Sequence, residues 1–461
     1  MLFRSGVSSR TVRLGAGAGF AGDRIDPAVE LAEHGDLYYL VFECLGERTV
    51  AAGQVRRRQD PAAGFDPLPL ARIDAVIEPA LVAGTTIITN GGSANPLAAA
   101  NAVAALLGEK RLGRTVRIAA VAGDDVEVAI REVDPDVWET GAPVSEHPDE
   151  LLSANAYIGA DALVEALQQD VDIVIAGRAA DPSLYLAPLL HEFGWDPDDH
   201  ALLGAGTCVG HLLECAGQLT GGYFADPGPK DVPGLARLGF PFADVSADGS
   251  AVMGKLERSG GLLTVQTCRE QLLYEVHDPH AYLTPDITAD FSHVSFAQTG
   301  PDRVAVTGAS GRERPDQLKV SLGFRGGWTG EGQISYAGPR AEERARLAGD
   351  VVVERLARVH GVPEDLLTVE LIGTGSAFRG APGSRGSSVE PIPEVRLRVS
   401  GVLDDRVQAD AVRWEVESLY TNGPAGGGGA RGSVTEVVAI RAASLPREAV
   451  VTTVHIQEVG G

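Results

Sequence analysis

The stretch Val171-Asp-Ile-Val-Ile-Ala-Gly-Arg-Ala-Ala-Asp-Pro182 runs from an apolar segment into a polar loop, and a helical pattern over 183–193 follows it. The same order of apolar strand, polar loop and helix recurs in segments that begin at Thr11, Thr85 and Val116. This repeated unit predicts an α/β fold with a mostly parallel sheet and crossover helices. The loops that follow parallel strands meet at one edge of the sheet, where such proteins bind ligands. We therefore expect these loops to share one crevice.

The C-terminal part of the chain has a different pattern. Alternating apolar residues predict an antiparallel extension over about 300–338, and a long helix follows over 339–360. Further strands and a helix over 404–419 predict a small α+β domain. We expect two domains, an α/β core over 1–360 and the small α+β domain over 361–461.

Composition limits the partners of the protein. The 461 residues include 63 acidic and 39 basic side chains, which give a net charge of −24. Without a basic patch, this charge disfavours nucleic acid and anionic membrane surfaces, so a small-molecule substrate is expected. We see no apolar stretch of membrane-spanning length, and Met1-Leu-Phe-Arg-Ser5 resembles neither a signal peptide nor an anchor, which predicts a cytoplasmic protein.

A glycine-rich loop follows the first predicted strand. Gly17-Ala-Gly-Phe-Ala-Gly22 satisfies the G-x-G-x-x-G pattern of dinucleotide-binding loops, and Glu43 stands where a ribose-binding acid would. The alternative is a tight glycine turn with Asp26 as a helix cap. Pro27 delays the start of the helix, which favours the turn over a nicotinamide or flavin site. Contact with another phosphate-bearing ligand stays open.

Two further strand-end loops carry polar side chains. Asn90, Ser93 and Asn95 lie beside a glycine pair and could orient a carbonyl group or an oxyanion. Asn95 precedes Pro96 and fits a helix cap at least as well. Asp124, with Asp125 beside it, could bind a metal or act as a base, or could cap the helix that follows it.

Arg178 and Asp181 share the loop of the opening stretch. An arginine there can bind a carboxylate or phosphate, and the alternative is a structural pair with Asp181. His211 lies between Cys208 and Cys215 at helical spacing, which allows a zinc site, a general base or a packed polar group on a buried helix.

A turn-rich segment carries the last candidates. Lys230 lies between Asp226 and Asp231 and could anchor an anionic substrate, although polar residues are expected in such a turn.

Long strings in this chain resemble the acyclic terpene utilisation AtuA family. They include Gly19-Phe-Ala-Gly-Asp-Arg-Ile-Asp-Pro27, Gly177-Arg-Ala-Ala-Asp-Pro182, Gly221-Gly-Tyr-Phe-Ala-Asp-Pro-Gly228 and Gly330-Glu-Gly-Gln-Ile-Ser-Tyr-Ala-Gly338. Leu419-Tyr-Thr-Asn-Gly-Pro-Ala-Gly-Gly-Gly-Gly429 is similar to the family's ferredoxin-like C-terminal domain. The resemblance implies breakdown of branched, acyclic terpenoid acids through acyl-CoA intermediates.

One departure from the family pattern stands in the loop after the third strand. The family usually shows Asn-Met-Gly-Ala-Ala-Asn-Pro where this chain has Asn90-Gly-Gly-Ser-Ala-Asn-Pro96. The missing methionine side chain is expected to widen the pocket or to alter the choice of substrate.

The residues and the resemblance together predict a lyase or hydratase for a branched carboxylic or acyl-CoA-type substrate. The alternatives are a hydrolase and a non-catalytic nucleotide-binding, acyl-CoA-binding or carboxylase-associated subunit. The chemistry requires no cofactor, with CoA only as part of the substrate, and no metal; a homo-oligomer is expected. The predicted catalytic residues are Asn90, Ser93, Asn95, Asp124, Asp181 and His211. The predicted substrate-binding residues are Gly19, Arg24, Glu43, Arg178, Asp226 and Lys230.

Overall fold

A computed structural model describes residues 10–378 and 392–460. Its α-helices within these residues are α1 Asp26–His34, α2 Glu47–Gln59, α3 Leu68–Ala83, α4 Pro96–Gly108, α5 Glu127–Val133, α6 Ala160–Leu167, α7 Ser183–Phe193, α8 His200–Leu213, α9 Val265–Leu273, α10 Ala341–His360 and α11 Arg406–Asn422. The predicted α/β class is therefore confirmed.

The strands alternate with these helices in the first half and follow one another later. They are β1 Thr11–Ala18, β2 Tyr39–Phe42, β3 Thr86–Thr89, β4 Val116–Ala122, β5 Leu151–Ala156, β6 Ile173–Ala176, β7 Pro241–Ser246, β8 Ala251–Lys255, β9 Tyr282–Leu283, β10 Thr288–Asp290, β11 Ser295–Gly300, β12 Arg303–Thr307, β13 Ser310–Arg312, β14 Gln317–Ala337, β15 Leu367–Ile372, β16 Glu394–Leu403, β17 Gly427–Pro446 and β18 Thr453–Val459.

The chain divides into two compact units. The first unit comprises the described residues of Met1–Gly323 and Ile440–Gly461, and the second unit comprises those of Phe324–Ala439. The predicted division at residues 360 and 361 falls inside the second unit, directly after α10.

The main sheet of the first unit has ten strands in the order β11-β12-β8-β7-β1-β2-β3-β6-β4-β18. Its centre is parallel, with β1 beside β2, β2 beside β3, β3 beside β6 and β6 beside β4. Every residue of β2 and β6 is buried, because the flanking chain covers both faces of the parallel strands.

The prediction of a mostly parallel sheet is wrong for the flanks. β7, β8, β12 and β11 extend the sheet beyond β1 in antiparallel pairs, and β18 closes the other side against β4. Short turns join β7 to β8 and β11 to β12, whereas β7 and β18 come from distant parts of the chain to pair with β1 and β4. The predicted antiparallel region over about 300–338 contains β12, β13 and β14.

The second unit contains a sheet in the order β15-β16-β14-β17. Its helices α10 and α11 pack against β16 and against each other, so they lie on the same side of the sheet. A separate buried core fills the space between them and the strands, with Ile334, Val352 and Val412 fully buried. The ferredoxin-like arrangement that the family resemblance implies stays a prediction.

Within residues 10–378 and 392–460, no helix is both long enough and apolar enough to cross a membrane. The segment Met1-Leu-Phe-Arg-Ser5 lies outside the described residues.

Candidate active site

The glycine-rich segment after Leu14 is mainly strand. β1 continues to Ala18, so Gly17 lies inside the sheet, and a β-carbon there would come within 2.6 Å of the Phe42 ring. The tight approach of two strands therefore explains this glycine. Only the first two residues of the phosphate-binding pattern, Gly17 and Ala18, belong to β1, so its first glycine lies in the strand and not in a loop that could cradle phosphate.

The turn after β1 is held by an aspartate that the sequence analysis did not assign. Asp26 begins α1, but no side chain caps the helix at Ile25, so the predicted Asp26 cap is wrong. The carboxylate of Asp23 instead accepts the backbone N–H of Gly19 at 2.9 Å, which closes the turn.

A cavity of about 1060 Å³ opens at the carboxyl ends of β1, β2 and β6 in the first unit. Its charged lining residues are Asp23, Arg24, Glu43, Glu47, Arg178, Asp181, Glu214, Glu275 and Lys319. Its apolar and aromatic lining residues include Phe20, Leu45, Trp138, Tyr157, Tyr223, Leu238, Phe240, Tyr274, Tyr282, Leu283 and Leu318. A volume of this size is large enough for a small organic ligand.

The cavity brings together five of the residues predicted for the site. These are Gly19, Arg24, Glu43, Arg178 and Asp181, which come from the loops after β1, β2 and β6. Seven others do not line it: Asn90, Ser93, Asn95, Asp124, His211, Asp226 and Lys230. Two of these seven support residues of the cavity wall: Asn90 contacts Glu43, and Asp124 contacts Arg178.

Glu43 is a buried carboxyl group at the end of β2. Its Oε1 accepts the backbone N–H of Leu45 at 2.6 Å and the side-chain amide of Asn90 at 3.1 Å. Asn90 is itself fixed, because its Oδ1 accepts the N–H of Cys44 at 2.7 Å. Burial, together with the nearby charge of Asp181, raises the pKa of Glu43 well above its usual value. Asn90 thus orients a buried carboxyl group whose pKa is raised.

Arg178 and Asp181 form the cation and anion of the loop after β6. Nη1 of Arg178 lies 2.7 Å from Oδ1 of Asp181, and the guanidinium lies 4.0 Å from the ring centre of Tyr157. Removal from water raises the pKa of Asp181, while the charge of Arg178 opposes that rise. The predicted pair with Asp181 is confirmed, both residues line the cavity, and ligand binding by Arg178 stays a prediction.

Asp124 supports this loop from behind. Its Oδ2 accepts the backbone N–H of Arg178 and the side-chain amide of Asn155, each at 2.9 Å. A β-carbon on Gly177 would collide with the Asp124 carboxyl group, so a glycine lets the loop pass this close. Burial raises the pKa of Asp124 to about 6.

Asn95 and Ser93 have structural positions. Asn95 caps α4, where its Oδ1 accepts the N–H of Ala98 at 3.2 Å, and its amide donates to the carbonyl groups of Pro61 and Ala63. Ser93 is buried and has a φ of 50°, which belongs to the tight turn before that helix. The cap interpretation of Asn95 is confirmed.

His211 is buried on α8 and forms a pair with Glu214. Its Nδ1 lies 2.7 Å from Oε1 of Glu214, and its Nε2 lies 3.1 Å from the carbonyl oxygen of Leu272. Because a carbonyl oxygen can only accept, Nε2 carries a hydrogen. Both ring nitrogens therefore have protein partners, and neither faces Cys208 or Cys215 as a zinc ligand would. Glu214, one turn beyond, lines the cavity in place of His211.

Asp226 and Lys230 lie in a turn away from the cavity. Their backbones pair with each other, and Nζ of Lys230 lies 2.6 Å from Oε1 of Glu270. The ammonium also lies 4.7 Å from the ring centre of Phe224. The charge of Lys230 is thus engaged on the surface.

A polar cluster on the cavity wall was not predicted from the sequence; it is formed by Glu47, Tyr157 and Lys319. Oη of Tyr157 donates to Glu47, and Nζ of Lys319 lies 3.1 Å from the same carboxylate. Burial raises the pKa of Glu47, but the bond from Tyr157 and the charges of Arg178 and Lys319 outweigh it and lower the pKa to about 2. Lys319 is one of only four lysines in the chain, which was the available signal.

The described part of the chain contains no group of three or more His, Cys, Asp or Glu side chains arranged to hold a metal ion. The carboxyl groups of the cavity have pKa values shifted in opposite directions, upward for Glu43 and downward for Glu47, a pattern suited to acid–base chemistry.

Comparison with known proteins supports the resemblance seen in the sequence. The family model described as "Acyclic terpene utilisation family protein AtuA" matches residues 12–456. Searches of the curated proteins and of the solved structures found no match. Since the model spans nearly the whole chain, the protein belongs to the acyclic terpene utilisation family AtuA.

Proposed function

We propose that this protein is a lyase of the hydratase type that adds water to the conjugated double bond of a branched, acyclic unsaturated acid or its CoA thioester. Its family has a metabolic role in acyclic terpene utilisation, which supports a substrate of this class. The observation that carries the proposal is the buried carboxyl group of Glu43 beside Asp181 in one large cavity.

Glu43 supplies the acid. Burial and the charge of Asp181 raise the pKa of Glu43 and so favour its protonated form, which can deliver a proton to the α-carbon of the substrate. Asn90 and Leu45 hold Oε1, so the geometry of the group is fixed before substrate arrives.

Asp181 supplies the base. It takes a proton from water as the water oxygen bonds to the β-carbon, and the electron pair of the double bond takes the proton from Glu43. One water is consumed, one C–O and one C–H bond form, and no oxidation state changes overall, so the reaction needs no redox cofactor. Arg178 keeps Asp181 available as a carboxylate.

Lys319 and the apolar wall orient the substrate. The Lys319 side chain is 39% exposed, so its ammonium can bind the carboxylate or thioester carbonyl of the substrate. Leu238, Phe240 and Tyr282 offer the apolar surface that a branched hydrocarbon chain needs.

The test is to incubate the protein with trans-3,7-dimethyloct-2-enoic acid and with its CoA thioester. Loss of the conjugated absorbance, with appearance of the 3-hydroxy product in mass spectra, is the expected result for at least one of them. Release of the CoA thiol with the double bond intact would identify a hydrolase instead. Unchanged substrates would contradict the proposal.

A further inference from the structure

Glu214 lines the cavity and has one carboxylate oxygen without a partner among the residues that the structure describes. Its residue is 8% exposed, and within the described residues its buried Oε2 has no hydrogen-bond partner. The other oxygen, Oε1, is held by Nδ1 of His211 at 2.7 Å. A buried oxygen without a partner costs free energy, which a ligand group that donates to it can recover.

From this geometry we infer that Oε2 of Glu214 binds a hydroxyl group of the ligand in the cavity, and that His211 is the residue that positions Glu214. The inference rests on the proposed function in one respect: the hydroxyl group is the one that hydration adds. The ligand class is therefore a branched 3-hydroxy acid or its thioester.

His211 is placed to hold Glu214 in one orientation. Its Nε2 is anchored on the carbonyl of Leu272, and its ring packs against Phe291 and Tyr282, with centres 5.6 and 5.0 Å apart. Because these contacts fix the imidazole, the bond from Nδ1 fixes the position of Oε1 of Glu214. The other oxygen, Oε2, is then left without a partner in the described part of the protein.

The charge of Glu214 depends on its surroundings. Burial raises its pKa to about 7, and the His211 charge opposes the rise. The titratable and charged groups that act on it or respond to it are His211, Asp181, Glu275, Cys215, Tyr282 and Tyr185. Since Asp181 is among them, the two carboxyl groups share one region of the cavity.

The test measures, by calorimetry with the intact protein, the affinity for 3-hydroxy-3,7-dimethyloctanoate and for 3,7-dimethyloctanoate. We expect the hydroxy acid to bind about tenfold more tightly, the usual value of one hydrogen bond to a buried charged group. In Glu214→Met, which keeps the shape of the side chain without its oxygens, the ratio of the two affinities should fall to about one. Glu214→Gln, a second and isosteric variant, should reduce it in the same direction.

The control is a matched pair in the second unit. His360 and Glu415 lie at 2.8 Å and do not line this cavity. His360→Asn should leave the hydroxyl preference unchanged, while His211→Asn should lower it. His211→Asn should also move the pH at which the preference appears from about 7 to a higher value, because removal of the imidazolium raises the pKa of Glu214.

The outcomes separate the two proposals. A hydroxyl preference that survives in both Glu214 variants overturns the inference, whether or not the protein hydrates the unsaturated acid. A preference that depends on Glu214 in a protein without hydratase activity overturns the proposed function alone. An unshifted pH midpoint in His211→Asn overturns the positioning role.

Discussion

Among the described residues, each unit has a His–Glu pair, and the pKa values of the two glutamates, Glu214 and Glu415, are shifted in opposite directions. In the first unit, Glu214 has only His211 as a partner on Oε1, and burial raises its pKa. In the second unit, Glu415 accepts two bonds from Arg355 at 2.9 and 3.1 Å in addition to the bond with His360.

Arg355 accounts for the difference between the pKa shifts of Glu214 and Glu415. Burial raises the pKa of Glu415 as well, but the bonds and charges of Arg355 and His360 hold it below its usual range. A carboxylate with donors on both oxygens is a structural ion. A buried carboxyl group with an open oxygen in a cavity is suited to bind a ligand or move a proton. Glu43 belongs with Glu214 by this criterion, because both of its bonds fall on Oε1. Glu47 also accepts Tyr157 and Lys319 on Oε1 alone, but that hydrogen bond and the charges of Arg178 and Lys319 lower its pKa to about 2.

The sharpest test of this distinction is Glu43→Gln. We expect the hydration rate to fall by at least about 100-fold, because glutamine cannot deliver a proton. The free energy of unfolding should change by less than about 1 kcal/mol, since a neutral amide replaces a protonated carboxyl group and its oxygen still accepts the same two bonds. Rate assays and thermal unfolding measure the two quantities. A variant as active as the parent would place the acid elsewhere.

Glu415→Gln should show the reverse behaviour. Loss of the charge that holds Arg355 and His360 is expected to cost about 2 kcal/mol of unfolding free energy, with little change in hydration rate. Urea denaturation at neutral pH gives the first quantity, and the absorbance assay gives the second. A stability equal to that of the parent would show that the number of donors on a carboxylate does not distinguish the structural role of Glu415 from the role of Glu214.

A smaller effect is expected from Glu47 in acid. Its folded pKa of about 2 lies below its usual value, so its contribution to stability is present above pH about 4.5 and is lost as the pH falls toward 2. Glu47→Gln lacks this contribution. The difference in melting temperature between parent and variant should therefore shrink as the pH is lowered through that range. A difference that stays constant with pH would exclude the ionised network with Tyr157 and Lys319.

Local signals explain what could be predicted of the fold. α7 begins after Pro182 and ends before Gly194, which adopts a left-handed φ of 61°, and both residues mark helix ends in the sequence. The predicted helix over 183–193 matches it. β1 was predicted too short because glycines favour loops, whereas packing against Phe42 from β2 makes Gly17 a strand residue.

For the site as well, local contacts could be predicted from the sequence and long-range contacts could not. Arg178 and Asp181 follow a buried strand within one short loop, so the sequence revealed them. Lys319 meets Glu47 only because β14 brings distant parts of the chain together, and no spacing rule detects such a contact. Asn90 and Asp124 were recognised as important, but their roles as supports for Glu43 and Arg178 needed coordinates.

The position of β18 has a consequence for how the protein is made. The chain leaves the first unit at residue 323, completes the second unit, and returns at residue 440 so that β18 can cover β4. On the ribosome, β4 is an uncovered edge until β18 has emerged, and uncovered edges recruit other strands. The inserted unit, whose residues are all made earlier, can finish folding first. A nascent chain stalled before residue 453 should thus be the form that is most prone to aggregation.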